Sequence, residues 1–223
     1  MAKIRESKNG RENGGYTRIF NNQELGSLFS RVQASVIRAG TELEKIVFNC
    51  NIENLDEFLT NADSNSLPDG QLFIADKKCV RNSNILRTDH QPDGVIFIIT
   101  NRLCKIIELK DGDTFDTKKS DGELETLQKM KQIIGERTSF RAEYYLCSFN
   151  ASTKEEIVKG LKGRFDLNNV ITGRELCSIL NLNYQTIVDA RKQDGEDNID
   201  FFLDELLKIN EIREKVINKL NQR

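Results

Sequence analysis

The chain has 223 residues, 38% hydrophobic and 30% charged, with a formal net charge of −2, a composition that suits a globular protein of one domain with an appendage. Its longest uninterrupted apolar run, Val95 to Ile99, is too short to cross a bilayer, and Met1-Ala2-Lys3-Ile4-Arg5-Glu6 turns polar too early for a signal peptide. Membrane and secreted classes are thereby disfavoured, and a cytoplasmic protein is expected.

Charge is unevenly spread. Residues 1–41 hold seven Lys/Arg against three Asp/Glu, and residues 42–100 hold five against ten. A basic arm followed by an acidic stretch fits a protein that meets a polyanion at its edge and holds cations further in, and it fits a solvated tail equally well. The opening Lys8-Asn9-Gly10-Arg11-Glu12-Asn13-Gly14-Gly15 has no apolar period and reads as a loop, so residues 1–21 are assigned to a flexible basic arm. From Asn22 the period is helical, with Phe29, Val32, Val36, Leu43 and Val47 on one stripe and Ile46 beside it. Gly40 marks a close contact or a break within that stripe. A second helix is expected over Leu55–Asn61, then a turn at Asn65-Ser66-Leu67-Pro68-Asp69-Gly70.

The middle of the chain is β-like. A first strand is expected within Gln71–Val80, around Leu72-Phe73-Ile74. Two apolar runs, Gly94 to Thr100 and Leu103 to Lys110, form a hairpin closed by Asn101-Arg102, and both are apolar on both faces, which predicts central, covered strands. Glu123–Ile134 follows as a helix ended by Gly135, and Phe140–Phe149 as a fourth strand. Strand, helix, strand implies a crossover and parallel pairing. The expected core is a mixed α/β sheet of order β-β-β-α-β, flanked by helices, over residues 22–150.

Residues 151–223 are expected to be all helical. Ser152-Thr153-Lys154-Glu155 and Thr172-Gly173-Arg174-Glu175 have capping-box spacing, a further helix follows Asn183, and a long one runs from about Asp197 to Leu220. Leu176, Ile179, Leu180, Leu182 and Ile187 are placed to form the small core of a helix-turn-helix, with Gln185, Thr186, Arg191 and Lys192 available to DNA. A plain helical subdomain for packing or dimerisation accounts for the same pattern.

The chemistry concentrates around the hairpin. With Asn101-Arg102 as turn residues, Asp93 lies opposite Lys110 and Val95 opposite Glu108. Opposed residues share a face, as do residues two apart on a strand, so Asp93, Glu108 and Lys110 project together from the open end. Two carboxylates suit a hard divalent ion such as Mg²⁺, which lowers the pKa of bound water, while a lysine beside them stabilises charge on a phosphoryl group.

Pro92-Asp93, a gap, then Glu108-Leu109-Lys110 on a central hairpin resembles the signature of the PD-(D/E)XK nucleases, and the β-β-β-α-β order resembles their core. The resemblance covers roughly residues 70–150, and size and the added helices make the chain most similar to a type II restriction endonuclease. It implies that Asp93 and Glu108 are metal ligands, joined by the Leu109 carbonyl, and that Lys110 is the catalytic lysine. It further implies Mg²⁺-dependent hydrolysis of double-stranded DNA at a short sequence, leaving 5′-phosphate ends, by a homodimer.

Each element has a plainer account. Pro92-Asp93-Gly94 is also a turn triplet, as is Pro68-Asp69-Gly70, although no hairpin sets Asp69 against Glu108. Glu108 and Lys110 also fit a strand-end ion pair. Asp111 to Glu123 fails as an EF-hand loop, because Asp116 stands where glycine is needed and Gly122 where glutamate is needed. In the nuclease reading Lys118 and Lys119 of this loop contact the DNA backbone. Some of these nucleases add a glutamate from an N-terminal helix, and here Glu44, about 60° from the apolar stripe, is better placed than Glu42. His90 reads as an ordinary loop histidine.

The sequence contains one histidine and no tryptophan. Its five cysteines, Cys50, Cys79, Cys104, Cys147 and Cys177, lack knuckle or CxxC spacing and are expected as buried free thiols. Two other functions fit the chain: a structure-specific repair or junction nuclease, and a non-catalytic helix-turn-helix DNA-binding protein.

Overall fold

A computed structural model describes residues 2–8, 14–64, 66–68, 70–89, 91–112 and 117–222, excepting the side chains of residues 117 and 118. The helices are α1 (Gly15–Phe20), α2 (Gln23–Val47), α3 (Leu55–Asp63), α4 (Lys77–Asn82), α5 (Thr117–Arg137), α6 (Lys154–Gly160), α7 (Gly173–Ile179), α8 (Tyr184–Lys208) and α9 (Asn210–Asn221). The strands are β1 (Leu72–Asp76), β2 (Gly94–Ile98), β3 (Leu103–Lys110), β4 (Arg141–Ser148) and β5 (Val170–Thr172). They form one sheet in sequence order, with β1, β2 and β3 antiparallel, and β4 and β5 added in parallel.

The mixed α/β sheet with flanking helices and a helical C-terminal region is therefore present, and α5 is the crossover between parallel β3 and β4. One face of the sheet buries Val95, Phe97, Cys104, Ile106, Ala142 and Leu146 with α3 and with Leu127, Met130 and Ile134 of α5. The Phe97 ring lies 5.1 Å from Phe58 and 5.0 Å from Phe140. Side chains of alternate residues on β2 and β3 thus supply this layer, and the same alternation carries Asp93, Glu108 and Lys110 beyond its edge.

Several elements differ from the sequence expectation. The hairpin connection is Ile99 to Arg102, not Asn101-Arg102 alone: Ile98 pairs with Leu103, and the Arg102 N–H donates to the Ile99 carbonyl at 3.1 Å with Arg102 at φ 50°. Opposed residues therefore sum to 201 rather than 203. A slip of two leaves every side chain on the predicted face, so the clustering survives the error. The first strand stops at Asp76, whose carboxylate accepts from the Cys79 N–H at 2.7 Å and starts α4 where the strand was expected to continue. Helix α5 begins six residues before Glu123 and runs through Gly135, whose missing side chain costs a helix only about 1 kcal/mol. The last third is not wholly helical, because Val170-Ile171-Thr172 pairs with Leu146-Cys147-Ser148. The capping boxes sit at Thr153 with Glu156 and at Thr172 with Glu175. The long C-terminal helix is two, broken at Ile209. On α2, continuous through Gly40, Val36 is 68% exposed, and the buried apolar residues are Leu25, Leu28, Leu43 and Val47.

The chain divides into two compact units, Leu43–Tyr184 on one hand and Met1–Glu42 with Gln185–Arg223 on the other. The first holds the sheet. In the second, Phe29 stacks on Phe20 at 4.9 Å and meets Phe202 edge-on at 6.0 Å. The N-terminal segment is held there too, with Lys3 paired to Asp197 at 2.7 Å and the Ile4 N–H donating to Asn198 at 2.8 Å. No helix among the described residues is long and apolar enough to cross a membrane.

Candidate active site

Asp93 stands one residue before β2 and is 7% exposed. Its Oδ2 accepts the Leu109 N–H at 2.9 Å, a bond across the open end of the hairpin that fixes the carboxylate against β3. Extending the β2–β3 pairing by one residue sets Asp93 against Glu108, and extending the β1–β2 pairing sets Lys77 against Asp93. Lys77 Nζ lies 3.7 Å from Asp93 Oδ1. Glu108 Oε1 lies 2.8 Å from Lys110 Nζ, which also reaches Glu123 Oε1 on α5 at 2.6 Å.

Glu44 comes from the last turn of α2. That turn is seated by Phe48, whose ring lies so close over Gly94 that an added Cβ there would stand 2.2 Å from it. Glu44 is half-buried and senses the charges of Asp93, Lys77 and Lys110. Four carboxylates and two ammonium groups thus share one end of the sheet.

Electrostatics follows from this crowding. Burial, and next the Asp93 carboxylate, push the Glu108 carboxyl up to about 7, with Lys110 opposing. Burial and Asp93 also raise Glu44, against Lys77 and Lys110. For Lys110 burial favours the neutral amine, but Glu108 and Glu123 outweigh it and hold the group charged, above the ordinary lysine value. The donor set fits a hard divalent cation. After burial, the Asp93 carboxylate is the next cause that raises both Glu44 and Glu108, a repulsion that such an ion neutralises.

The sequence reading named Asp93, Glu108, Lys110 and Glu44, and the structure brings all four together. It did not name Lys77 or Glu123. Lys77 carried no local signal, since it lay inside a segment read as strand. Glu123 had one, as an acidic residue at an expected helix start. Glu42, set aside earlier, pairs with Arg38 at 2.7 Å. Lys119 is exposed near the start of α5, while the side chain of Lys118 lies outside the described residues, as do His90 and Asp69.

In the segment expected to form a helix-turn-helix, Leu176, Leu180 and Ile187 are buried and Ile179 and Leu182 half-buried, with Asn181 turning the chain at φ 55°. Gln185, Thr186 and Lys192 are exposed and Arg191 half-buried, with Gln185 donating to Asp189 at 2.8 Å. The division between the compact units falls between Tyr184 and Gln185.

No family model matches the chain, and no solved structure matches it. Its sequence is 45% identical over 210 residues to the type II restriction enzyme HhaII of Haemophilus parahaemolyticus, a match that spans 92% of each protein. The chain belongs to the type II restriction enzymes. These are site-specific deoxyribonucleases, and the matched length takes in both compact units. A restriction enzyme needs a centre able to break a phosphodiester, and the end of the sheet is where this one gathers carboxylates around a charged lysine.

Proposed function

We propose that this restriction enzyme cuts double-stranded DNA at a short specific sequence through a PD-(D/E)XK centre made of Asp93, Glu108 and Lys110. One observation carries the reading: Asp93, one residue before β2, and Glu108 and Lys110 of β3 lie on one face at the open end of the hairpin, with Asp93 locked by the Leu109 N–H at 2.9 Å. Asp93 and Glu108, with the Leu109 carbonyl and Glu44, would hold Mg²⁺. When bound, the ion supplies Lewis-acid stabilisation of the phosphoryl charge and acidifies bound water.

The chain's own groups account for the remainder. Lys110, kept charged by Glu108 and Glu123, donates hydrogen bonds to the attacking water and to the phosphoryl oxygens as negative charge grows on them. Attack in line forms a bond from water oxygen to phosphorus and breaks the bond to the 3′ oxygen, leaving 5′-phosphate and 3′-hydroxyl ends. Lys77 sits against Asp93 and offsets part of the negative charge gathered there. Lys118 and Lys119 at the start of α5, and Gln185, Thr186, Arg191 and Lys192 on α8, are the proposed contacts to DNA.

Cutting both strands of a palindrome calls for two centres related by a two-fold axis, hence a homodimer. Ile199, Leu203 and Leu207 on α8 are 60%, 47% and 43% exposed and recur every fourth residue, an apolar stripe that suits a second copy.

The test is incubation of purified protein with unmethylated phage DNA, with and without Mg²⁺. Discrete fragments that need Mg²⁺ and vanish in Lys110→Ala are expected. Fragments that persist in that variant, or random degradation, would overturn the reading.

A further inference from the structure

A second concentration of reactive groups shares no residue with Asp93 and its partners. Cys50, on the segment between α2 and α3, and Cys79, in α4, are 29 residues apart in sequence, yet their sulfurs stand 2.9 Å from each other. Spacing along the chain gave no sign of this pair, and both thiols are half-buried rather than buried. Both sulfurs point at the Ile52 carbonyl, Cys50 at 3.4 Å and Cys79 at 3.6 Å. A carboxylate oxygen of Asp76 and the two sulfurs all lie within 4.8 Å of one another.

The group lines a cleft of about 570 Å³ whose wall also includes Asp56 and Ser83. Asp56 is already committed, accepting from the Ser83 hydroxyl and from the Asn84 and Ile85 N–H groups. Asp76 is anchored beside Cys79 by the cap bond that one of its oxygens accepts at 2.7 Å.

We infer that Cys50, Cys79 and Asp76, closed by the Ile52 carbonyl, bind a zinc-class divalent cation at a site separate from the hydrolytic centre. Two sulfurs and two oxygens converging at a point suit a borderline-soft ion in four-coordination. Mg²⁺ demands six oxygen-type ligands and is excluded by the sulfurs. Without a cation, burial, the neighbouring Cys50 and the Asp76 carboxylate push the Cys79 thiol up to about 12, so its sulfur keeps its proton. A divalent charge reverses that balance. On binding, each S–H releases its proton to solvent as its sulfur–metal bond forms, so affinity rises with pH. The ion staples the segment before α3 to the start of α4, next in sequence to Lys77.

The test uses the full chain, reduced until all five cysteines react with a thiol reagent, then freed of metal and titrated with Co²⁺. One equivalent of Co²⁺ should give thiolate-to-cobalt charge-transfer absorption, which carboxylates alone cannot produce, and Zn²⁺ should abolish it. The band should be lost in Cys50→Ser and in Cys79→Ser. It should persist in Cys177→Ser and in Asp93→Asn, and in a large excess of Mg²⁺. Asp76→Asn, which keeps the cap, should weaken binding about tenfold or more. Should a serine variant fail to fold, zinc-edge absorption of the wild-type protein decides the matter, with two sulfurs expected at about 2.3 Å. No charge-transfer band in reduced wild-type protein, a band surviving in both serine variants, or zinc ligated without sulfur would each overturn the inference.

Discussion

Glu108 is held in an environment that resists its own charge. In metal-free protein its carboxyl titrates at about 7 instead of the ordinary 4.5. Between those values the folded protein keeps a proton that the unfolded chain has released. Its contribution to stability is therefore fully present below 4.5 and is lost as the pH rises through about 7. Glu108→Gln should abolish cleavage and, above that range, make the metal-free protein more stable by about 1 kcal/mol or more, a rise in Tm of roughly 2–4 °C. Thermal denaturation in chelator checks this, and a lower Tm would contradict it. Loading the site with a cation must displace the same proton. Cleavage at limiting Mg²⁺ should accordingly fall as the pH drops through about 7, and higher Mg²⁺ should move the midpoint down, as a rate profile at two concentrations would show. Glu123 acts at one remove, through its contact with Lys110 at 2.6 Å. Glu123→Gln should lower the cleavage rate about tenfold with DNA affinity unchanged, a split that loss of folding would not produce.

At the scale of elements, what matters is how α2, α3 and α4 are tied to the sheet. Phe48 rests on Gly94, so Gly94→Val would displace the last turn of α2 and Glu44 with it. Overpacking of this kind costs about 1–3 kcal/mol, and cleavage should fall further than stability alone explains. Asp56, at the start of α3, caps the chain after α4. Burial works to raise its pKa, but hydrogen bonds from Ser83, Asn84 and Ile85 outweigh it and hold it below 3.8. That stability is present above 3.8 and lost as the pH falls through the lowered value. Asp56→Ala removes the acceptor of the buried Ser83 hydroxyl, while the Ile85 N–H still donates to Ser83, at about 1–3 kcal/mol, measurable by urea denaturation near neutral pH.

These elements also show what the sequence made legible. Strands β2 to β4 and the crossover helix were readable, since long β-branched runs, a turn and a helical period leave few alternatives. The register was missed by two, which the face rule tolerates. Strand β5 is three residues against a capping box, too short for alternation to show. Lys77 and Glu123 reach the site from neighbouring elements by tertiary contact, which no local period encodes. The Cys50–Cys79 pair escaped for the same reason.

For the whole molecule, the proposed homodimer implies paired cutting. The apolar stripe on α8 should hold two copies together, so a double variant, Ile199→Asp with Leu203→Asp, should sediment as a monomer. It should nick supercoiled plasmid instead of linearising it. A dimer that survives these changes would place the interface elsewhere.

The most direct measurement is single-turnover cleavage of a duplex carrying the sequence read from the fragment ends, for wild type, Asp93→Asn and Lys110→Ala. DNA affinity would be determined in parallel with Ca²⁺ in place of Mg²⁺. The account predicts near wild-type affinity and a rate reduced about 10³-fold or more in both variants, as befits groups that act on the charge of the transition state. Cleavage at the wild-type rate in either one would contradict it.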